Sequence, residues 1–326
     1  MLREFRRITI SRTDRIGDVV LSLPVFASLK QCFPDCELSA LVQGYTAEVA
    51  ASFHAVDDVT TYEKSEFILT TTKKLRSLRT DAILFLYPRF CLAVAAILAG
   101  IPVRVGSAYR WYSFLYNRRV HEHRKDSVKS EAEYNMSLAR AIGCTTTVLD
   151  IRLEVDQNAL GKAKAFLASN NIGRFVAVHP GSGGSAADWS AANFRELCEG
   201  ITEHPGTSVV ITGSAPESDL CSQIAAGNPR CLNSAGAFTI REFIALLSLA
   251  DSFVSNSTGP IHLAASVGTP VVGIYPNNKP MTPARWAPIV GRKIILTPPD
   301  GSDDLTGVAV ADVLRSVQDF LKVKSQ

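Results

Sequence analysis

Three short stretches of this 326-residue chain concentrate residue types that move protons or hold anions. The first, SRTDRIGDVVLSLP at 11–24, sets two arginines, two aspartates and a glycine directly after the apolar alternation Ile8-Thr9-Ile10. Asp18 falls at the start of a helix, where a carboxylate is suited to take the proton of an attacking hydroxyl or merely to complement the helix dipole. Asp14 is the second carboxylate candidate, and Arg12 and Arg15 could steer an anion. The second stretch, HPGSGGSAADW at 179–189, brings glycines whose backbone N–H groups can approach an anion closely, with serine hydroxyls as further donors. His179, Gly181, Ser182 and Ser185 are its candidates; a plain loop ended by a Ser190 cap fits the same residues. The third, SNSTGPIHLAAS at 255–266, reads as a helix start: Ser257 or Thr258 as cap, Gly259 for close approach, Pro260 in the first turn. Its open N–H groups and dipole favour a phosphate or diphosphate, within reach of His262.

These loops also exclude chemistry. No Gly-Lys-Ser/Thr follows HPGSGG, so it is not a Walker A loop, and no GxGxxG follows the first strand, which disfavours a nicotinamide cofactor. Segment 104–129 interleaves Arg104, Arg110, Arg118, Arg119, Arg124, Lys125 and Lys129 with Tyr109, Trp111, Tyr112, Phe114 and Tyr116. It suits an anionic head group at a membrane surface, with Arg118 and Arg119 as candidate contacts; a solvated loop whose aromatics pack on the first domain fits the same residues. His121-Glu122-His123 lacks a third ligand nearby, and no metal site is expected.

Strands alternate with helices in two successive series, the pattern of parallel sheets joined by right-handed crossovers. Strands are expected at 8–11, 37–42, 59–62, 82–86 and 103–106, with helices at 19–33, 47–53, 67–79 and 90–99. Pro24 frees the Val20 carbonyl and should kink the first helix or mark its start. The second series places strands at 175–178, 208–212, 252–255 and 271–275 and helices at 191–203, 217–226, 239–249 and 259–267, with a helix at 131–142 between the series. The fold class is therefore α/β with two Rossmann-like domains, 1–155 and 156–306. An amphipathic helix in 307–326 is expected to pack back on the first.

A charge balance of 34 Lys and Arg against 31 Asp and Glu gives +3, too little to argue for a nucleic-acid partner. Seven cysteines without a CxxC pair suggest free thiols in a reducing compartment. No signal peptide is read at the basic N-terminus. The most apolar run, 90–101, is well short of the ~20 residues that span a bilayer. The expectation is a cytoplasmic protein in peripheral contact with the inner membrane surface.

Together RTDRIGDVVLSLP, HPGSGGSAADW with NFRELCEGI, and SNSTGPIHLAASVGTPVVGIYP followed by RWAP resemble glycosyltransferase family 9, the ADP-heptose:lipopolysaccharide heptosyltransferases. The resemblance runs from about residue 8 to 290. It implies a GT-B fold, two Rossmann-like domains facing across a cleft, with the acceptor against the first and the nucleotide-sugar against the second. It implies inverting, metal-independent transfer of a heptose from ADP-heptose, a substrate rather than a cofactor, to the lipopolysaccharide inner core or a lipid A-linked acceptor. Asp18 then maps onto the general base, and Thr258, Gly259 and His262 onto diphosphate contacts. Glu217, with Asp219 as alternative, falls where the family holds the ribose. Two positions depart from the pattern: Ala187 stands where members carry a lysine and Ser257 where they often carry aspartate. Lys279 or Arg285 could supply the missing positive charge. Three rivals share parts of the pattern: a GT-B transferase of other donor or acceptor, a catalytically weak sugar-nucleotide-binding scaffold in core assembly, and, more distantly, a nicotinamide dehydrogenase.

Overall fold

Runs that are apolar at every position, such as Ala82–Phe85 and Val271–Ile274, can be buried on both faces, and that is what parallel sheets sandwiched between helices require. The structure, a computed structural model, describes residues 5–184 and 188–323. It divides into two units, Met1–Ile151 and Arg152–Gln326, so the boundary falls slightly before the expected 155/156.

The first unit holds β1 (Arg7–Arg12), β2 (Glu37–Val42), β3 (Asp58–Thr61), β4 (Ala82–Phe85), β5 (Val103–Ser107) and β6 (Arg118–Val120). They form one parallel sheet in the order β3-β2-β1-β4-β5-β6. The second unit repeats the plan with β7 (Arg174–His179), β8 (Thr207–Ile211), β9 (Cys231–Asn233), β10 (Ser252–Asn256), β11 (Val271–Ile274) and β12 (Lys293–Leu296). Its parallel order is β12-β11-β10-β7-β8-β9. Each is a Rossmann-like sheet whose strand order reverses once, between β1 and β4 and between β7 and β10. Ligands of such sheets bind beyond the carboxyl ends of the strands at that reversal. The loops after β1, β7 and β10 are the three stretches singled out by their chemistry.

Local structure differs from the sequence reading in several places, beginning with strands β6, β9 and β12, which were not expected. The single helix expected at 19–33 is two, Ile16–Val20 and Leu23–Cys32, with Pro24 in the first turn of the second, where a missing N–H costs nothing. An unforeseen helix, Gln157–Ser169, is capped by Asp156, whose carboxylate accepts the Ala159 N–H at 2.8 Å. The final helix, Val310–Val323, does not serve the first unit. Val313, Val317, Phe320 and Leu321 join Phe194, Leu197 and Ile201 of helix Ala191–Glu203 in the second unit's core, and the Leu321 carbonyl accepts Arg174 Nη2 at 2.5 Å. Its apolar stripe matched the nearer partner. Finally, Cys32 and Cys144 form a disulfide, correcting the expectation of free thiols throughout. Helix Leu23–Cys32 packs on helix Glu131–Arg140, which brings together two cysteines 112 residues apart in sequence.

Candidate active site

In the first unit the site is built around one guanidinium. Arg12 ends β1 with a side chain only 3% exposed, so its charge must be answered by protein groups. Nε donates to Asp14 Oδ1 at 2.8 Å, Nη2 to Asp18 Oδ1, and Nη1 to Glu131 Oε1 at 2.9 Å and Asn135 Oδ1 at 3.1 Å. Burial alone would lower the Arg12 pKa, but the three carboxylates outweigh it and hold the guanidinium firmly charged. Glu131, 1% exposed, also accepts from Arg124 Nη1, so it lies between two arginines. One turn along the same helix, Asn135 donates to the Leu21 carbonyl at 3.1 Å, exactly the point where the helix after β1 breaks.

The turn carrying the aspartates is held from further sides. The Asp14 carbonyl accepts Gln43 Nε2 at 2.7 Å and the Tyr45 hydroxyl at 2.8 Å. Arg89, from the loop after β4, donates to Thr13 Oγ1 at 2.7 Å and to the Thr13 carbonyl at 2.6 Å. Burial pushes the Asp14 carboxyl up to about 7, the Asp18 charge adding to the rise and Arg12 opposing it. Asp18 lies in the first turn of helix Ile16–Val20, partly open to solvent. Arg12, expected to meet the acceptor, instead spends its donors on this network. Arg15 is exposed, as are Arg118 and Arg119 on the edge strand β6.

In the second unit, Asn256 ends β10 and ties two loops together. Its Oδ1 accepts the Trp189 N–H at 3.1 Å, and its Nδ2 donates to the Pro180 carbonyl at 2.8 Å and to Asp188 Oδ1 at 3.3 Å. Trp189, fully buried, donates Nε1 to the Val308 carbonyl at 3.0 Å. The glycine-rich loop is thus anchored at both ends of its described part; Ser185 and Ala187 lie outside the described residues. Glu217 closes over it. A Cβ on Gly181 would sit 1.9 Å from Glu217 Oε1, so a larger residue there would push the Glu217 carboxylate aside. Burial would raise the Glu217 pKa, but hydrogen bonds from the Ser214 hydroxyl and N–H, each 2.7 Å, outweigh it and keep the carboxylate below its ordinary range.

His179 ends β7 and is held neutral by burial, its pKa lowered to about 4; Nδ1 lies 3.0 Å from Thr212 Oγ1. Helix Gly259–Ser266 starts at Thr258 without a side-chain cap. Thr258 Oγ1 and His262 Nδ1 are both buried with no hydrogen-bond partner among the described residues. Burial, with the Lys293 charge adding, lowers the His262 pKa to about 3. The site therefore offers uncommitted neutral donors at a positive helix end, an arrangement that fits an anion. Ser257 is buried and shares a hydrogen bond with the Tyr275 hydroxyl. Of the expected stand-ins for the missing lysine, Lys279 is exposed and Arg285 lies 4.7 Å over the Trp286 ring.

Sequence reasoning singled out the loops but not Glu131, Asn135, Arg89 or Asn256, and it read Arg124 as part of a basic surface rather than as a partner of Glu131. Asn256 stood inside a quoted motif and was passed over because its role is to join loops rather than to react.

The sequence profile of glycosyltransferase family 9 (heptosyltransferase) matches residues 68–301. The chain belongs to that family. The profile match begins beyond the Asp18 turn, but a full-length relative spans it. A Haemophilus influenzae protein, provisionally named a glycosyltransferase, is 30% identical over 97% of both chains. Lipopolysaccharide heptosyltransferase 3 of Escherichia coli K12 is 25% identical over 79% of each chain. The solved structure of Escherichia coli ADP-heptose lps heptosyltransferase II superposes with a TM-score of 0.82 at 21% identity, covering 98% of this chain and all of that one. This family 9 transferase thus has a GT-B-like fold of two Rossmann-like units. Among its described residues, no group of three or more His, Cys, Asp and Glu is placed to hold a metal ion.

Proposed function

We propose that this transferase moves a heptose from ADP-heptose to the inner core of lipopolysaccharide, with inversion and without a metal, at the cytoplasmic face of the inner membrane. The observation that carries the proposal is the Asp18 carboxylate, fixed by a buried arginine in the loop beyond β1. Asp18 accepts the proton of the acceptor hydroxyl as its oxygen attacks the anomeric carbon from the face opposite the diphosphate. The anomeric C–O bond breaks, and ADP departs with the electron pair.

In this reading the diphosphate sits at the start of helix Gly259–Ser266, with Thr258 Oγ1 and neutral His262 as donors. Such a helix end contributes about 0.3–2 kcal/mol toward an anion, and hydrogen bonds to a charged group about 1.5–3 kcal/mol each. Glu217 receives the ribose hydroxyls, and Gly181 and Ser182 line the donor loop. Names of the relatives support the donor and acceptor class, and the missing lysine at position 187 leaves the helix end as the main counter-charge.

The decisive measurement is turnover of ADP-heptose on truncated core acceptors by wild type and Asp18→Asn, with ADP affinity by titration calorimetry. The variant should lose about 10²–10⁴-fold in kcat while binding ADP within about twofold of wild type. Unchanged turnover would remove Asp18 as base. Tighter binding of UDP or GDP than of ADP would replace the donor.

A further inference from the structure

We propose that segment 108–119 of the first unit is a docking surface for an anionic lipid bilayer. Its aromatic residues fall into an inner and an outer set. Tyr116 and Tyr112 are buried, Tyr116 against Phe85 of β4 with ring centroids 5.2 Å apart. Trp111 and Phe114 are 75% and 68% exposed. Trp111 stands just before the 3₁₀ turn Ser113–Leu115 and Phe114 within it. Trp111 stacks on Phe90, centroids 5.0 Å apart, and Phe90 meets Tyr112 edge-on at 5.6 Å. A chain of ring contacts therefore runs from the core to the exposed indole, which is held outward by a packed aromatic base.

Three arginines flank them. Arg110, Arg118 and Arg119 are exposed, and none has a carboxylate within ion-pair distance among the described residues. The nearby Glu122 is already engaged by Lys129 at 2.8 Å. Unpaired arginines beside outward aromatics are complementary to a surface that is anionic above and apolar below, which is the interface of a bilayer containing acidic lipids.

Placement strengthens the assignment. Trp111 meets Phe90, which starts the helix after β4, at the carboxyl edge of the first sheet, and from there residues 115–117 run back beside Pro102 and Arg104 to begin β6. Phe67, 83% exposed, precedes the helix after β3 and lies at that same edge. Asp18, after β1, shares it as well. A bilayer seated here would present lipid-anchored molecules on the side of the sheet that carries the carboxylate. The docking deepens the acceptor reading above and rests on it for its purpose, but not for its test.

The test is co-sedimentation of the full chain, without either substrate, with phosphatidylethanolamine vesicles containing phosphatidylglycerol and with pure phosphatidylcholine vesicles. Wild type should bind the anionic vesicles, bind less at high salt, and leave phosphatidylcholine unbound. Trp111→Ala with Phe114→Ala should weaken anionic binding roughly tenfold or more. An unchanged thermal midpoint shows that this variant is folded. Brominated phosphatidylglycerol should quench the tryptophan fluorescence of a Trp286→Phe protein, and adding Trp111→Phe should leave binding with the quenching removed, since the remaining indole, Trp189, is buried. Absence of binding to anionic vesicles, or equal binding by the folded double variant, overturns the proposal. So does binding to lipid A in detergent micelles with none to vesicles. Turnover does not enter the measurement, so failure of docking and failure of the acceptor reading are distinguished.

Discussion

Asp18 takes its chemistry from Arg12, and Arg12 takes its position from Glu131 and Asn135, more than a hundred residues further on. Replacing Arg12 by Lys keeps the charge but loses the fork that reaches four oxygens at once. Arg12→Lys is therefore expected to lower kcat about tenfold or more with KM for the donor unchanged. Glu131→Gln keeps the shape but removes a negative charge that raises the Asp14 pKa, which should draw Asp14 toward its ionised form. The acid limb of the kcat/KM pH profile should then move to lower pH, a shift that a loss of packing alone would not produce. Rate profiles for both variants from pH 5 to 9 check this, and an acid limb left in place would remove Glu131 from the network. The aspartates were legible in sequence because a Gly-Asp turn after a strand has few uses. Their partners were not, because nothing local marks Glu131 as more than the first residue of a capped helix.

At the scale of elements, the alternation of runs and the cap residues foretold nearly every strand and helix that positions the site. Ser190 and Thr239 do cap their helices, each accepting the N–H three residues on. What stayed hidden were partners chosen by topology: the final helix on the second unit, the Cys32–Cys144 bridge, and the loop junction at Asn256. Asn256 satisfies one donor and one acceptor of the glycine-rich loop in a fully buried setting, so removing it strands both. Each unsatisfied buried group costs about 1–3 kcal/mol. Asn256→Ala should therefore destabilise the second unit by about 2–4 kcal/mol, and Asn256→Asp, whose buried carboxylate would face the Pro180 carbonyl and the Asp188 carboxylate, by at least as much. Urea unfolding measures the first effect. ADP affinity, measured where both variants are folded, should fall as the loop loses its anchor.

For the whole molecule, the two units carry buried titratable groups of opposite sense. In the first, Asp14 is raised from 3.8 to about 7, so its folded form binds a proton more readily than the unfolded chain does. Stability from this group is fully present below pH 4 and is lost as pH rises through 7. In the second, His179 and His262 are lowered from 6.5 to about 4 and about 3, because burial keeps the imidazoles neutral. Their contribution is present above pH 6.5 and is lost as pH falls toward 4 and 3. Glu217, lowered by its hydrogen bonds, adds to that second trend at the acid end. Acidification from pH 7.5 to 5.5 should thus strengthen the first unit by about 2 kcal/mol and weaken the second by about 2–3 kcal/mol, since one pH unit across a fully linked group corresponds to about 1.4 kcal/mol and the second unit carries two such groups. Hydrogen exchange read by mass spectrometry, in peptides from 5–151 and 152–323 separately and corrected for intrinsic rates, resolves the two. Asp14→Asn should remove the trend in the first set and leave the second untouched. Parallel trends in both sets would mean that other groups, and not the buried aspartate and histidines, govern how stability depends on pH.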